Sequence, residues 1–156
     1  MLSLKAVGKN VELVIKEFSE LTTDELFEIL KLRVTVFVVE QNCCWQEIDD
    51  FDRQSIHVYL KDSSGILAYL RVVPSGLVCD DVSIGRVIAA KRRCGLGTRV
   101  LSEGIKAAKE KFNADVISIE AQSYAKEFYE KAGFVQTSEE FLDTGIPHIQ
   151  MKLKIN

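Results

Sequence analysis

The stretch of residues 82–111 constrains the fold of this chain more than any other. Its first part, residues 82–90, is apolar and rich in β-branched residues, as expected of a strand that is buried on both faces. Gly95 and Gly97 follow, and apolar residues then recur at helical spacing as far as Phe112. The pattern predicts a strand, a glycine-containing turn and a long helix that begins at the glycines.

A turn in this position is suited to binding an anion. The first turn of a helix carries N–H groups without intrahelical partners and the positive end of the helix dipole. Gly95 and Gly97 lack Cβ atoms and let a phosphate approach the backbone, while Arg92 and Arg93 add charged donors. The stretch lacks the Gly-Lys-Ser/Thr ending of a P-loop and the third glycine of the dinucleotide fingerprint. It therefore indicates a pyrophosphate site of another kind, the alternative being a plain turn with two solvated arginines.

These residues resemble the acetyl-CoA motif of the GCN5-related N-acetyltransferases, Q/R-x-x-G-x-G/A, with Arg92, Gly95 and Gly97 at its defining positions. The segment AKEFYEKAGF, at residues 125–134, is similar to the family's A-x-x-F-Y-x-K-x-G-F segment. FVVEQN at residues 37–42 and GIPHIQM at residues 145–151 resemble the ElaA-like subgroup of that superfamily. Together the similar segments extend over most of the chain, from residue 26 to residue 153.

The resemblance implies the acetyltransferase fold, a mixed α/β (α+β) architecture. Its central mixed sheet of about six or seven strands has helices on both faces. With 156 residues, of which 47% are hydrophobic, the chain fits one domain over residues 1–156. Periodicity predicts strands at residues 11–18, 55–61, 66–73, 82–90, 116–121, 134–141 and 148–155, and helices after a capping box at Thr22, after the glycine turn, and over residues 123–132. Residues 34–39 have the composition of a strand, although the resemblance implies a helix there.

The resemblance also implies where acetyl-CoA would bind as co-substrate. In that family the two central strands part beside the motif helix and leave a slot for the pantetheine arm. The backbone of Val87, Ile88 and Ala89 would pair with the pantetheine amides. The turn would hold the pyrophosphate through Arg92, Arg93, Gly95, Leu96, Gly97 and Thr98. Gln122 and Lys126 are further expected contacts with the cofactor.

The implied reaction is direct transfer of the acetyl group to a primary amine, which needs no protein nucleophile once the reactants are aligned. By resemblance, Tyr129 would be the general acid that protonates the departing thiolate. An alkyl amine with a pKa near ~10.4 must also lose a proton. Here the central strand has acids only at its start, unlike many relatives, which leaves Glu40, Glu120 and His148. We predict His148 and Glu40 as catalytic residues, the alternative for His148 being a structural hydrogen-bonding role.

Residues 41–55 combine acidic side chains with aromatic ones. Glu47, Asp49, Asp50 and Asp52 lie in this stretch close to Trp45. One interpretation is an ordinary solvated loop. The other is a surface that attracts a cationic amine through its charge and its aromatic rings.

Composition excludes several kinds of partner. A net charge of -3 with 28% charged residues argues against nucleic acid and against an anionic membrane as partners.

No apolar run is long enough to span a bilayer and the N-terminus lacks a signal-peptide core, so we expect a cytoplasmic protein. The four cysteines and two histidines show no metal-binding spacing, which predicts reduced thiols and no metal. Because many members of the family pair, a homodimer is among the expected assemblies.

Two other functions are consistent with the same sequence. A non-catalytic acyl-CoA-binding sensor or scaffold would bind the cofactor and acetylate no amine. An interaction domain would use the acidic loop against a basic protein and would bind no CoA. The intact glycines and both arginines of the turn argue against the interaction domain.

Overall fold

The structure of the protein, a computed structural model, describes residues 10–89 and 95–155. Its strands are β1 (Glu12–Glu17), β2 (Ile56–Asp62), β3 (Gly65–Val73), β4 (Val82–Ala89), β5 (Val116–Gln122), β6 (Val135–Gln136), β7 (Phe141–Asp143) and β8 (Ile146–Lys154). Its α-helices are α1 (Thr23–Val34), α2 (Leu96–Phe112) and α3 (Lys126–Lys131). A π-helix covers Thr35–Glu40, and 3-10 turns cover Phe18–Glu20, Asp50–Arg53 and Ser123–Ala125. None of the helices in these two ranges is long and apolar enough to cross a membrane.

All eight strands form one mixed sheet. Its order is β1-β2-β3-β4-β5-β8-β6, and β7 also pairs with β8. Only β4 and β5 run parallel; the other pairings among the described strands are antiparallel. The sheet has one strand more than predicted, because residues 134–141 form two short strands. Between them the Ser138 hydroxyl accepts the Gln150 N–H at 2.9 Å and takes the place of a backbone partner.

Helices cover both faces of the sheet, as predicted. Successive residues of a strand point to opposite faces, so β2 and β3 contribute to two cores. Val58 and Leu70 join Leu101 of α2 in the larger apolar core. Tyr59 joins Ile29 of α1 in a smaller core on the other face.

Helix α1 continues into the π-helix. The Thr35 hydroxyl donates to the Lys31 carbonyl at 2.8 Å, a bond typical of threonine inside helices. The Trp45 indole N–H donates to the Phe37 carbonyl at 3.2 Å and so satisfies a carbonyl near the helix end. The strand suggested by the composition of residues 34–39 is therefore wrong, and the helix implied by the family resemblance is confirmed.

The predicted capping box begins α1. The Thr22 hydroxyl accepts the Glu25 N–H at 3.1 Å, and the Glu25 carboxylate accepts the Thr22 N–H at 3.0 Å. The same carboxylate accepts hydrogen bonds from Lys16, at 2.8 Å, and from the Tyr59 hydroxyl. Partial burial raises the pKa of Glu25, but these hydrogen bonds outweigh it and lower the pKa to about 2.

Glu25→Gln should destabilise the fold by about 1–2 kcal/mol at pH 7, because glutamine keeps the capping box but loses the charge that binds Lys16 and Tyr59. The folded-state pKa lies below the unfolded value, so this stabilisation is complete above about pH 4.3 and is lost as the pH falls toward 2. Urea unfolding at several pH values measures the difference. Glu28→Gln, exposed on the same helix, is the control; equal effects of the two variants would contradict the prediction.

Candidate active site

Strands β4 and β5 separate soon after they start. They pair only at Val82 with Ile117 and at Ser83 with Ser118, although β4 runs to Ala89 and β5 to Gln122. Past this point the strands line a cleft of about 1740 Å³. The slot between the two central strands, implied by the family resemblance, is thus present.

A β-bulge at Arg86 accompanies the separation. The register between β3 and β4 shifts here, and Arg86 has φ +55°, a left-handed conformation that is uncommon outside glycine. Its guanidinium donates to the Glu47 carboxylate at 2.6 Å and to the Glu47 carbonyl at 2.9 Å. It also lies 4.6 Å from the centre of the Trp45 ring. These contacts hold the bulge in its strained conformation.

After the bulge, β4 has one free edge toward the cleft. Ile88 and Ala89 pair with Tyr69 and Ala68 of β3 on the other side, and Val87 lies beside them. All three residues predicted to pair with pantetheine line the cleft. Their free edge could accept an extended, amide-containing ligand in the manner of an added strand.

The glycine turn lies at the N-terminus of α2, as predicted. Gly95 is the N-cap residue with φ +74°, a conformation that glycine adopts without steric cost. Gly97 packs against the Phe128 ring, and a Cβ atom added at Gly97 would lie 3.5 Å from that ring. Gly95, Gly97 and Thr98 line the cleft. The N–H groups of this first helical turn are therefore beside the space that the pyrophosphate would occupy.

Of the other predicted cofactor contacts, some lie outside the described residues and some do not present a side chain to the cleft. Arg92, Arg93 and Cys94 lie outside the described residues. The side chain of Leu96 is buried in the larger apolar core, so only its backbone is available to a ligand. Lys126 is not among the described residues that line the cleft, whereas Gln122 is.

Tyr129 lines the cleft next to Phe128, the ring that lies against Gly97 of α2. Its ring is packed edge-on against Phe128, at 5.0 Å, and Phe134, at 5.9 Å. Burial, with a smaller contribution from Tyr124, raises the pKa of Tyr129 above its ordinary value, so its hydroxyl keeps its proton. Tyr124 is 77% exposed and lies in the 3-10 turn Ser123–Ala125, so the α-helix predicted over residues 123–132 begins only at Lys126.

The candidate bases lie toward the other side of the cleft. Glu40 is exposed at the end of the π-helix. His148 is half-buried, and its Nδ1 lies 2.6 Å from the Ile146 carbonyl, so we assign the ring proton to Nδ1 and the lone pair to Nε2. Ligand atoms of Glu120, Asp143 and His148 lie within 4.8 Å of one another. The structure thus brings His148 and Glu120 together and leaves Glu40 outside this cluster.

Partial burial and the neighbouring Asp143 raise the pKa of Glu120 to about 7, against the opposing effect of Arg86. The cluster of Glu120, Asp143 and His148 could exchange protons, and the same donors would suit a divalent cation.

Free thiols occur at Cys43, Cys44 and Cys79, outside this cluster. Sequence reasoning missed Asp143; the Asp-Thr-Gly turn signal at residues 143–145 could have placed it at the end of a hairpin strand facing the segment that contains His148.

Three of the four acidic residues of the loop at residues 41–55, Glu47, Asp49 and Asp52, bind arginines, whereas Asp50 is exposed. Glu47 is 2% exposed and Asp52 is 4% exposed. Arg33 binds Asp52 through two bonds of 2.6 and 3.1 Å. It also donates to the Glu47 carboxylate at 3.0 Å and to the Glu47 carbonyl at 3.3 Å. Arg71 binds both Asp49, at 2.6 and 2.9 Å, and Asp52, at 2.9 Å. We call this set, completed by Arg86, the arginine–carboxylate network.

Comparison with known proteins agrees with this geometry. Residues 31–155 match the family model of the acetyltransferase (GNAT) domain. A UPF0039 protein of Schizosaccharomyces pombe is 35% identical over 150 residues, which cover 94% of this chain and 99% of that protein. The crystal structure of Escherichia coli ElaA has a TM-score of 0.86 and 32% identity and covers 92% of this chain and 99% of its own. That of an acyl-CoA N-acyltransferase from Pseudomonas aeruginosa has a TM-score of 0.84 and 34% identity, with the same coverage.

Strand order, split central strands and glycine turn therefore agree with sequence similarity along most of the chain. This protein belongs to the GCN5-related N-acetyltransferase superfamily, in its ElaA-like subgroup, and is an acyl-CoA-dependent acyltransferase.

Proposed function

We propose that the protein transfers an acetyl group from acetyl-CoA directly to a primary amine of a small molecule or a protein. The observation that carries this proposal is the continuous cleft where β4 and β5 part. It has the α2 N-terminus and Tyr129 on one side and the cluster of Glu120, Asp143 and His148 on the other. A donor and an acceptor could enter from these two sides and meet in the middle.

The residues present fit acetyl-CoA. The first turn of α2 offers N–H groups to the pyrophosphate, and the free edge of β4 at Val87, Ile88 and Ala89 offers backbone groups to the pantetheine amides. When bound, acetyl-CoA supplies a thioester whose carbonyl an amine can attack. The protein has to align the two groups, and alignment alone can account for several kcal/mol of the barrier, on the order of 7–11 kcal/mol in well-oriented model systems.

Tyr129 would give a proton to the sulfur as it leaves. Its pKa is raised, its ring is fixed by Phe128 and Phe134, and it lines the cleft. A fixed phenol that keeps its proton at neutral pH is a suitable hydrogen-bond donor to a developing thiolate. A cationic acceptor, a homodimer and a cytoplasmic location remain predictions beside this proposal.

Tyr129→Phe should lower kcat for acetyl transfer by about 100-fold, because the ring stays packed and only the proton donor is lost. Release of free thiol from acetyl-CoA, followed across a panel of primary amines that includes diamines and lysine-containing peptides, measures the rate. Glu110→Gln, exposed on α2 and not among the described residues that line the cleft, is the control. A Tyr129→Phe enzyme as fast as the wild type would exclude the general-acid role. A wild type that binds acetyl-CoA and acetylates no amine would favour the non-catalytic sensor.

A further inference from the structure

We propose that Glu120 is the catalytic base that removes a proton from the acceptor amine, and that Asp143 is a positioning residue beside its carboxyl group. This inference rests on the proposed function. It also revises the prediction from sequence, which preferred His148 and Glu40 as catalytic residues.

The position of Glu120 in the cleft favours it as the base. Glu120 lies on β5 two residues past Ser118, the last residue of β5 that pairs with β4. Its side chain is exposed and lines the cleft at the point where the two strands have separated. On the opposite strand, β4, Arg86 lines the cleft. Glu120 brings a carboxylate into the space between the two strands from the β5 side.

The two side chains beside Glu120, Asp143 and His148, belong to the hairpin formed by β7 and β8. β7 and β8 are joined by a tight turn in which Thr144 has φ +52° and Gly145 has φ +78°. Asp143 is the last residue of β7, and His148 of β8 pairs with Gln122 of β5. Since β8 is hydrogen-bonded to β5 along its length, the hairpin holds Asp143 and His148 beside Glu120, with ligand atoms within 4.8 Å of one another.

Two carboxyl groups this close together do not both ionise readily. Partial burial is the larger cause of the raised pKa of Glu120, about 7, and the hydrogen bond and charge of Asp143 add to it. Arg86 on β4 acts in the opposite direction, but its guanidinium is already bound to Glu47. The cleft around Glu120 is also lined by His148 and Lys152 on β8 and by Glu40 at the end of the π-helix. A base with a pKa near the working pH is the most effective one.

The two other candidates are less suited to the role. The His148 ring stacks on Phe141 at 6.2 Å and donates from Nδ1 to the Ile146 carbonyl, so only its Nε2 is left to accept a proton. Glu40 is exposed at the end of the π-helix and lies outside the cluster. Glu120 lines the cleft, and its carboxyl group is hydrogen-bonded to that of Asp143, which can share its proton.

The acceptor nitrogen loses two protons in the reaction. An acceptor that arrives as an ammonium ion gives one proton to ionised Glu120, which passes it to solvent. As the nitrogen–carbon bond forms and the carbon–sulfur bond breaks, the nitrogen releases a second proton to solvent and the sulfur takes one from Tyr129. Tyr129 then regains a proton from solvent, so of the two protons lost by nitrogen one is balanced by the proton on the CoA thiol. One proton is released to solvent for each amide formed.

Carbon-13 NMR of protein labelled at the glutamate carboxyl carbon tests the proton-sharing pair without any need for turnover. We expect one glutamate resonance with a midpoint near pH 7. It should be missing in Glu120→Gln and move toward about 4.3 in Asp143→Asn, because loss of the neighbouring negative charge lowers the pKa. If every glutamate titrates below about pH 5.5, the inference is wrong, whatever the activity of the protein.

The pH profile of kcat/KM for acetyl transfer tests the catalytic role, with EDTA present throughout. The wild type should lose activity below about pH 7 as Glu120 takes up a proton. Glu120→Gln should reduce kcat/KM by about 10²–10⁴-fold, and Asp143→Asn should move the acid limb to lower pH. His148→Gln decides between the two bases: it keeps an acid limb if Glu120 is the base and loses it if His148 is. Glu110→Gln, exposed on α2, is the control.

Failure of the Glu120 inference and failure of the proposed function give different results. Full activity of Glu120→Gln, or loss of the acid limb only in His148→Gln, would overturn the inference and leave acetyl transfer intact. Activity that EDTA removes and a divalent cation restores would also overturn it, in favour of a metal site. If Glu120 titrates near pH 7 but no amine is acetylated, the proposed function fails, and the role of Glu120 as a base fails with it.

Discussion

Gly97→Glu should lower the affinity for acetyl-CoA by at least about 100-fold in a calorimetric titration, since unfavourable contacts between like charges cost several kcal/mol. Gly97 lies in the first turn of α2 and lines the cleft. A glutamate there would place a carboxylate where the pyrophosphate has to bind the helix N-terminus. The variant should still fold, because an added Cβ makes ordinary contacts of 3.5 Å with Phe128, and a carboxylate near a helix N-terminus is itself stabilising.

Gly97→Ala is the matched control for this experiment. Its methyl group would make the same contacts with Phe128 and Ala89, at 3.5 and 3.6 Å, without adding charge. We expect binding within about threefold of the wild type for this control, a difference below about 0.7 kcal/mol. Equal affinities for the wild type and Gly97→Glu, with unchanged circular dichroism, would show that the pyrophosphate does not bind at this turn.

Features that depend on neighbours in the sequence were predictable. The left-handed conformation of Gly95 follows from a glycine just before an amphipathic segment, and the Thr22 capping box follows from Thr-x-x-Glu before an apolar stripe. The β2–β3 hairpin follows from its Asp-Ser-Ser-Gly turn. In each case the local backbone conformation depends on residues a few positions apart, so the sequence pattern alone is enough to predict it.

Features that depend on tertiary pairing were not predicted. The bonds of Arg33 to Asp52 and of Arg86 to Glu47 join residues 19 and 39 positions apart, and no local pattern links them. One signal was available: Arg71 and Arg86 lie inside otherwise apolar strands, and a buried guanidinium needs carboxylate partners. Taken together with the acidic loop, these arginines could have indicated the network. The separation of β4 from β5 was expected from the family resemblance alone, and no residue pattern signals it, because the bulge that accompanies it is held by that network.

Asp52→Asn should destabilise the protein by about 3–5 kcal/mol, the usual loss when one partner of a buried ion pair is removed. Asp52 accepts hydrogen bonds from Arg33 and from Arg71, and all three side chains are buried. An asparagine keeps the shape but turns an N–H donor toward one of the guanidinium groups, which leaves positive charge without compensation. The free energy of unfolding in urea measures the loss.

Two further variants make this result interpretable. Glu12→Gln removes an exposed pair in which the Lys61 nitrogen lies 3.9 Å from the carboxylate, and should cost less than about 1 kcal/mol. Asp49→Asn affects a more accessible member of the network and should cost less than Asp52→Asn, so it is informative even if Asp52→Asn does not fold. A loss for Asp52→Asn no larger than that for Glu12→Gln would show that the two arginines are satisfied without the carboxylate.

The pH dependence of stability gives a second readout of the same network. Burial raises the pKa of Asp52 and of Asp49, but the bonds from Arg33 and Arg71 outweigh it and hold both below their ordinary values. Their stabilisation is therefore complete above the unfolded value of about 3.9 and is lost as the pH falls below it. We expect wild-type stability to fall steeply below about pH 4, and the curve of Asp52→Asn to be flatter because one of the titrating groups is absent. Parallel curves for the two proteins would mean that Asp52 contributes nothing through its charge, and the network would then stabilise the bulge at Arg86 only by its packing.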